Sequence, residues 1–311
     1  MTRAIVRTLL CMACLWIGAG RAYAVTVLVV AGEHSAASIE VTEAMFGVLE
    51  RTGMAKAELA QISVDEVAGI DLVGPSAPKI LVTLGTNALQ KVLARESRLP
   101  VLAALIPRGS FERVVRDSGK RSSVTLAALY LDQPWDRQLD MVRLALPDAH
   151  RVGILFGAES VIRKPALASA LQERGLEMVS SVAPDGSSFP PLGVVLESAD
   201  VLLAVPDTQV FNSSSISNLL LSTYRAHIPM VAFSPAYVKA GALLSLHSTP
   251  SQIGVQSAGI ARSLLAGAVV APAQYPLEFT VTVNEQVARS LGLQINAAAL
   301  SERLRRMERK P

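Results

Sequence analysis

Ile80-Leu81-Val82-Thr83-Leu84-Gly85-Thr86-Asn87 is an apolar run that breaks into a small polar turn, and a mixed segment then leads to a second apolar run opened by proline, from Leu99-Pro100-Val101 to Ile106-Pro107. The same order returns in the second half of the chain. There Val201-Leu202-Leu203-Ala204-Val205 meets Pro206-Asp207-Thr208, a longer segment follows, and Ile228-Pro229-Met230 opens the run that ends at Ser234-Pro235. Each copy reads as a buried strand, a turn, a helix and a second buried strand. Two such halves predict two α/β lobes whose polar turns face each other, and a cleft lined by turns is a binding site.

Working outward, further short apolar runs span Val25 to Ala31, Arg151 to Phe156 and Val124 to Leu131. The runs are continuous rather than alternating, as expected for parallel strands covered on both faces. Between them lie segments of helical spacing. Val41, Met45 and Val48 share one face; Ile216, Leu219, Leu220 and Thr223 share another, with serines 213–215 placed to cap it. Thr249-Pro250-Ser251-Gln252 carries a capping hydroxyl, a proline at the first helical position and a glutamine three residues after the cap. Ile253, Ile260 and Leu264 form its buried face, Asn284 caps a helix carrying Val287 and Leu291, and Leu300, Leu304 and Met307 mark the last one. Arg303, Arg305, Arg306 and Arg309 of that last helix read as a solvated basic face near a helix C-terminus. The fold class is α/β, with two doubly wound parallel-sheet lobes joined by a multi-strand hinge.

Residues 1–24 are set apart from the fold. Arg3 and Arg7 precede an apolar stretch from Leu9 to Ile17, and Ala22-Tyr23-Ala24 ends in an export cleavage pattern, so cleavage before Val25 is expected. Cys11-Met12-Ala13-Cys14 is a poor match to a lipid-attachment signal. This leader holds three of the 29 basic residues, none of the 26 acidic ones and both cysteines. The mature chain is therefore charge-balanced, which removes the electrostatic case for nucleic-acid binding. It also has no thiol, disulfide or cysteine-based metal site.

Crossings between lobes are expected near Leu131-Asp132-Gln133-Pro134, near His247-Ser248-Thr249 and within 267–276. Lobe 1 would then take residues 25–131 and about 249–275, and lobe 2 residues 132–248 and about 276–311. Three crossings make a hinge, and hinge closure is a common response to a ligand.

No nucleophile elbow, phosphate loop, dinucleotide loop or zinc-protease pair occurs. His34, His150, His227 and His247 are scattered without metal-ligand spacing. The candidate ligand contacts are therefore polar residues at strand ends. His34 and Ser35 follow the first strand. Gly85 and Thr86 open a helix whose free N–H groups suit a carboxylate, and the same turn can equally be an N-cap with no ligand. Arg108 and Ser110 follow the next strand, where Arg108 suits an acidic ligand group or a surface position. In the second half Gly157, Glu159, Asp207, Thr208 and Ser234 occupy corresponding positions. Asp207 suits either an ammonium or hydroxyl group of a ligand, or helix capping. Phe156, Phe211, Phe233 and Tyr237 are candidates for apolar walls or for core.

Across these residues the chain resembles the ABC-transporter substrate-binding proteins of the tryptophan/tyrosine type, which have the type I periplasmic-binding-protein fold. The resemblance rests on Leu84-Gly85-Thr86, on Arg151 to Leu155, on Ile228-Pro229, on Ala240-Gly241-Ala242-Leu243-Leu244-Ser245, and above all on Phe279-Thr280-Val281-Thr282-Val283-Asn284 followed by Ala288, Leu291-Gly292-Leu293 and Ile295. It implies an exported receptor that closes on a small ligand, holds a ligand carboxylate at the Thr86 turn and presents it to an inner-membrane ABC permease. The chain departs from the family where Pro107-Arg108-Gly109 replaces an Asp-Pro, Phe156-Gly157-Ala158-Glu159 replaces a Tyr-Asn-Pro-like turn, and Leu246-His247-Ser248-Thr249 replaces a Tyr-Gly-Pro-Asp-like segment. These departures bear on ligand identity.

The function expected is thus a monomeric periplasmic solute receptor with no catalysis, cofactor or metal. A sensing or accessory protein of the same fold, not coupled to a permease, is the alternative. An exported α/β enzyme is disfavoured by the lack of a nucleophile–base pair or cofactor loop.

Overall fold

The computed structural model describes residues 25–32, 35–119, 125–184 and 190–308. The expected leader and His34 lie outside these residues. Among the described residues, twelve strands form two six-stranded sheets. In the first, β1 (Val27–Ala31), β2 (Leu59–Ser63), β3 (Ile80–Leu84), β4 (Val101–Ile106), β5 (Leu126–Tyr130) and β11 (Ala273–Gln274) lie in the order β11-β5-β4-β3-β1-β2. In the second, β6 (Arg151–Phe156), β7 (Glu177–Val182), β8 (Val201–Leu203), β9 (Met230–Ala232), β10 (Leu244–His247) and β12 (Thr280–Val283) lie in the order β12-β10-β9-β8-β6-β7. The two sheets thus repeat one topology, as the paired stretches around Gly85 and Asp207 imply.

Eleven helices accompany them among the described residues: α1 (Ala36–Arg51), α2 (Thr86–Leu93), α3 (Arg108–Ser118), α4 (Trp135–Ala145), α5 (Lys164–Gln172), α6 (Leu192–Leu196), α7 (Ile216–Arg225), α8 (Pro235–Ala240), α9 (Pro250–Leu265), α10 (Glu285–Ser290) and α11 (Ala297–Glu308). Both faces of each sheet are covered. Leu28 and Val30 enter one core cluster while Val27 and Val29 enter another, so alternate residues of one strand serve two apolar layers. The second sheet does the same, with Ile154 and Phe156 on one side and Leu155 on the other. This explains why the strands read as unbroken apolar runs.

Two edge strands gave no such run. β2 is half-buried along its whole length, and the burial of β7 alternates little between half-buried and exposed. β12 departs from the parallel expectation, since it pairs antiparallel with β10, Leu244 opposite Val283. It enters from the hinge rather than from a crossover helix, so nothing turns it back to the parallel sense.

Local signals act as their chemistry predicts. Thr249 and Gln252 form the expected capping box of α9, and the Asn284 side chain accepts from the amides of Gln286 and Val287. α7 differs: its serines do not cap it. Asn212 Oδ1 accepts from the amides of Ser214 and Ser215 instead, at 3.0 and 3.1 Å, while Ser215 Oγ donates to the Val210 carbonyl at 2.6 Å. α1 and α9 pack side by side in the first lobe. Gly254 permits this, because a methyl there would overlap the Val41 carbonyl and lie 2.8 Å from Ala44 Cβ.

The chain passes between the sheets three times: from β5 to β6, from β10 into α9, and from β11 to β12. These segments are bonded to one another. Gln133 Nε2 donates to Ser248 Oγ at 2.9 Å, and Ser248 Oγ donates to the Glu278 carbonyl at 2.6 Å. Arg137, 7% exposed, donates from Nη1 to Gln133 Oε1 at 2.7 Å and to the Pro276 carbonyl at 2.9 Å. Its Nε pairs with Glu308 at the end of α11. Two guanidiniums lie over the Phe279 ring, with the Arg137 Cζ 4.7 Å and the Arg305 Cζ 4.9 Å from its centroid. Arg305 is therefore only partly solvated: its guanidinium stacks on Phe279 and donates to the Phe279 carbonyl at 3.0 Å. Met307, expected on the buried face of α11, is exposed.

Candidate functional site between the two sheets

In a parallel sheet every strand ends on the same edge, so the turns after β1, β3, β4 and β5 form one rim and those after β6, β8 and β9 another. The rims meet at α3. β4 ends in an irregularity, with a register shift between Ala103 and Ile106 and Leu105 at φ 51°. A leucine in the left-handed region costs on the order of 1 kcal/mol, and such bulges gather beside binding sites because they re-aim the chain. Here the chain is turned into α3. Pro107 provides no side-chain cap, and the Asp132 carboxylate from the first crossing accepts from the Arg108 amide at 2.6 Å in its place. Burial pushes the Asp132 pKa up, against the pull of that amide and of the nearby Arg163 and Arg108 cations.

Arg108 is committed within lobe 1. Its Nε bonds Glu112 at 2.7 Å and its Nη1 bonds the Tyr275 hydroxyl at 2.7 Å. Burial alone would make its guanidinium a weaker base, but Glu112 and Tyr275 outweigh that and the pKa is raised. Ser110, in the same first turn of α3, is buried.

The opposite rim is built on Asp207, which is 4% exposed. Its Oδ2 accepts from the Ser160 amide at 2.9 Å and from Ser160 Oγ at 2.7 Å, and its Oδ1 accepts from the Gln209 amide at 3.0 Å. The Gly157 amide donates to Ser160 Oγ at 3.1 Å. A side chain at 157 would overlap the Asp207 carboxylate, so this turn requires glycine. Asp207 caps no helix here; its carboxylate ties the turn after β8 to the turn after β6.

Lobe meets lobe through charge. Arg113 Nη2 lies 3.2 Å from Glu159 Oε1, and Arg163 Nη1 lies 3.5 Å from Glu112 Oε2. The Arg163 guanidinium rests on the first turn of α3, where a methyl on Gly109 would be 3.1 Å from Nη2. Thus Arg108, Ser110 and Glu159 are brought together, and Arg163, Glu112, Arg113 and Asp132 join them.

The remaining candidates sit on the rims in smaller groups. Ser35 caps α1 in a box with Ser38. Gly85, at φ 90°, starts α2 with no side-chain cap, and the turn after β1 lies against it through the Gly32 amide and the Leu84 carbonyl at 3.1 Å. The first-turn amides of α2, Thr86 among them, therefore have no side-chain acceptor at the N-cap. Thr208 is exposed, and Ser234 caps α8 by accepting from the Ala236 amide at 3.2 Å. Among the aromatics, Phe156 is fully buried core. Phe211, Phe233 and Tyr237 form a cluster with centroids 5.7 and 5.1 Å apart along its two edge-to-face contacts. Phe233 and Tyr237 are half-buried.

His150 and His227 are exposed, and His227 takes φ 56° where α7 ends. His247 is buried at the second crossing, 3.2 Å from Ser245 Oγ, and burial lowers its pKa. No group of three or more His, Cys, Asp or Glu among the described residues is placed to hold a metal. No helix among them is long and apolar enough to cross a membrane. A surface hollow of about 370 Å³ lined by Pro147, Asp200, His227 and Leu291 lies at the far end of the second sheet, away from the rims.

Sequence reasoning missed Arg163, Glu112, Asp132, Gln133 and Arg137. Asp132 and Gln133 fall in the expected first crossing, which was a usable signal; the others lie on helical faces that read as ordinary surface.

Two α/β lobes on a triple crossing, with strand-end turns meeting in between, define a two-lobed solute-binding protein. Residues 53–305 match the family model for ABC transporter substrate binding proteins, and the chain belongs to that family. No curated protein matches it. Solved structures give the same fold. A conserved domain protein from Vibrio cholerae superposes with a TM-score of 0.60 at 19% identity, covering 89% of this chain and 97% of that one. The ABC domain in complex with L-Trp from Streptococcus pneumonia gives 0.62 at 16% identity, covering 89% and 97%. A ligand-free, open substrate-binding protein with adhesive properties from Clostridium difficile gives 0.65 at 15% identity, covering 88% and 96%.

Proposed function

We propose that this protein is an exported receptor that closes its two lobes on a small solute and delivers it to an inner-membrane ABC permease. In this reading the leader is cleaved before Val25 and the mature monomer works in the periplasm. Lobe 1 comprises residues 25–131 and about 249–275, and lobe 2 the rest. The observation that carries the reading is the pairing of a bonded triple crossing at Gln133, Ser248 and Glu278 with lobe-to-lobe ion pairs between α3 and the segment after β6. That is the mechanical layout of a hinge and a jaw.

The solute is an amino acid or a related carboxylate. Its contacts come from the turns at His34, Ser35, Gly85, Thr86, Arg108, Ser110, Gly157, Glu159, Asp207, Thr208 and Ser234. The uncapped N-terminus of α2 supports this, since its amides are free to receive a carboxylate. The half-buried Phe233 and Tyr237 offer an apolar wall for the remainder of the solute. The test is a thermal-shift screen of the leaderless protein against amino acids, small peptides, nucleosides and organic acids. A true ligand at about 100 times its Kd stabilises by roughly 2.7 kcal/mol. Small-angle scattering with that ligand should show compaction, and its absence for every hit would end the receptor reading.

A further inference from the structure

Four buried side-chain atoms among the described residues have no hydrogen-bond partner, and two of them are arginine donors at one place: Arg163 Nη2 and Arg113 Nε. Both lie on the junction between lobes. Arg163 comes from the turn after β6 and Arg113 from the second turn of α3, whose first turn carries the Arg163 guanidinium against Gly109. Arg163 is only 7% exposed.

A buried guanidinium has five donors to satisfy, and leaving one unmet is costly. Arg163 has a long 3.5 Å contact from Nη1 to Glu112 and nothing at Nη2. Arg113 has a 3.2 Å contact to Glu159 and nothing at Nε. The local acids are otherwise engaged. Glu112 holds Arg108 at 2.7 Å, and Asp132 holds the Arg108 amide. Two buried donors at the junction, Arg163 Nη2 and Arg113 Nε, are thus left without an acceptor. The start of α3 adds the positive end of a helix.

We infer that the junction of Arg163, Arg113 and the first turn of α3 receives an oxyanion group of the solute, and that the solute is a small organic acid. This rests on the receptor reading above and assigns a second acidic group of the ligand, beside the carboxylate received at α2. Bound there, an oxyanion spans both lobes: it accepts from Arg163 of lobe 2 and sits over α3 of lobe 1. Ligand charge is then coupled to closure. The arrangement also explains Gly109, where a side chain would press on the guanidinium.

The leaderless protein should be titrated by calorimetry and followed by thermal shift with succinate, L-glutamate, inorganic phosphate and sulfate, and with succinamide as the uncharged counterpart. Succinate or L-glutamate should bind and raise Tm, with carboxylates separating from phosphate and sulfate by affinity, and succinamide should not. Arg163→Gln should weaken that binding about tenfold or more, and Arg163→Lys should restore part of it. Should Arg163→Gln fold poorly, Arg113→Gln should weaken the same binding from a half-buried position. The inference is overturned if neither succinate nor L-glutamate binds, whatever phosphate and sulfate do, or if both glutamine variants bind as tightly as the parent. Compaction on a neutral solute with no oxyanion binding would remove this inference and leave the receptor; compaction with no solute of any class would remove both.

Discussion

Gln133 Nε2 donates to Ser248 Oγ at 2.9 Å, joining two chain crossings that lie 115 residues apart in sequence. Ser248 Oγ passes the link to the third crossing through the Glu278 carbonyl. Each such bond contributes about 0.5–1.5 kcal/mol. Gln133→Ala and Ser248→Ala should each lower Tm by a few degrees. They should also broaden the distribution of ligand-free radii of gyration in small-angle scattering. A distribution identical to the parent's would show that the crossings do not govern lobe motion.

Arg137 concentrates more of the hinge in one side chain. It bonds Gln133 and the Pro276 carbonyl, pairs with Glu308 and covers the Phe279 ring. Arg137→Ala should cost about 3–5 kcal/mol, because it leaves buried acceptors and an uncovered ring. Glu308→Gln should cost at most about 1 kcal/mol, since that carboxylate is partly solvated. Urea unfolding of the two variants checks the order; equal losses would mean that Arg137 acts only through its ion pair.

Asp207→Ala should destabilise the protein as well as alter any binding. Three donors, the Ser160 amide, Ser160 Oγ and the Gln209 amide, lose their acceptor. The expected loss is about 2–4 kcal/mol in urea unfolding. Gly157→Ala should reproduce much of it by overlapping the Asp207 carboxylate. A stable Asp207→Ala protein that has lost only affinity would show that Asp207 acts on the ligand and not on the fold of the two turns.

Gly254→Ala probes the packing of α1 on α9. The added methyl meets the Val41 carbonyl and Ala44 Cβ, which are backbone and helix-fixed atoms that cannot swing away. The loss should be about 1–3 kcal/mol. Gly259, on the same helix, has open space for a methyl, so Gly259→Ala should be neutral or stabilising. Similar Tm changes for the two would show that the helices do not approach as closely as described.

Acid stability has an identified contributor in Asp200. Burial would raise its pKa, but the Arg151 guanidinium and the amides of His150 and Arg151 outweigh burial and hold it at about 2. A carboxylate depressed in the folded state adds stability that is complete above its unfolded pKa of about 4 and is lost as pH falls through the folded value. Asp200→Asn should therefore reduce stability at neutral pH by about 1 kcal/mol, allowing for solvent screening. The difference from the parent should shrink between about pH 4 and pH 2. A difference that stays constant over that window would assign the effect to packing.

The elements visible in the chain share a physical basis. β4 and β6 lie where their apolar runs lie, because a strand covered on both faces has no polar position to blur it. The boxes at Thr249 and the Asn284 cap were equally legible, since donor and acceptor sit within three residues. β2 and β7 were not, because edge strands need no continuous apolar run. The Ser213–Ser215 cap was misread because Asn212, just outside the serines, takes the amides first.

Sequence alone determined the repeated strand–turn–helix plan and the positions of the polar turns at the strand ends. Tertiary structure decided how those turns are used. Arg108 meets Asp132 across 24 residues, and Arg137 meets Glu308 across 171. Each of these residues is chemically ordinary in its own neighbourhood. Its role comes from a partner supplied by the folding of the whole chain, and short-range pattern carries no information about which distant charge will arrive.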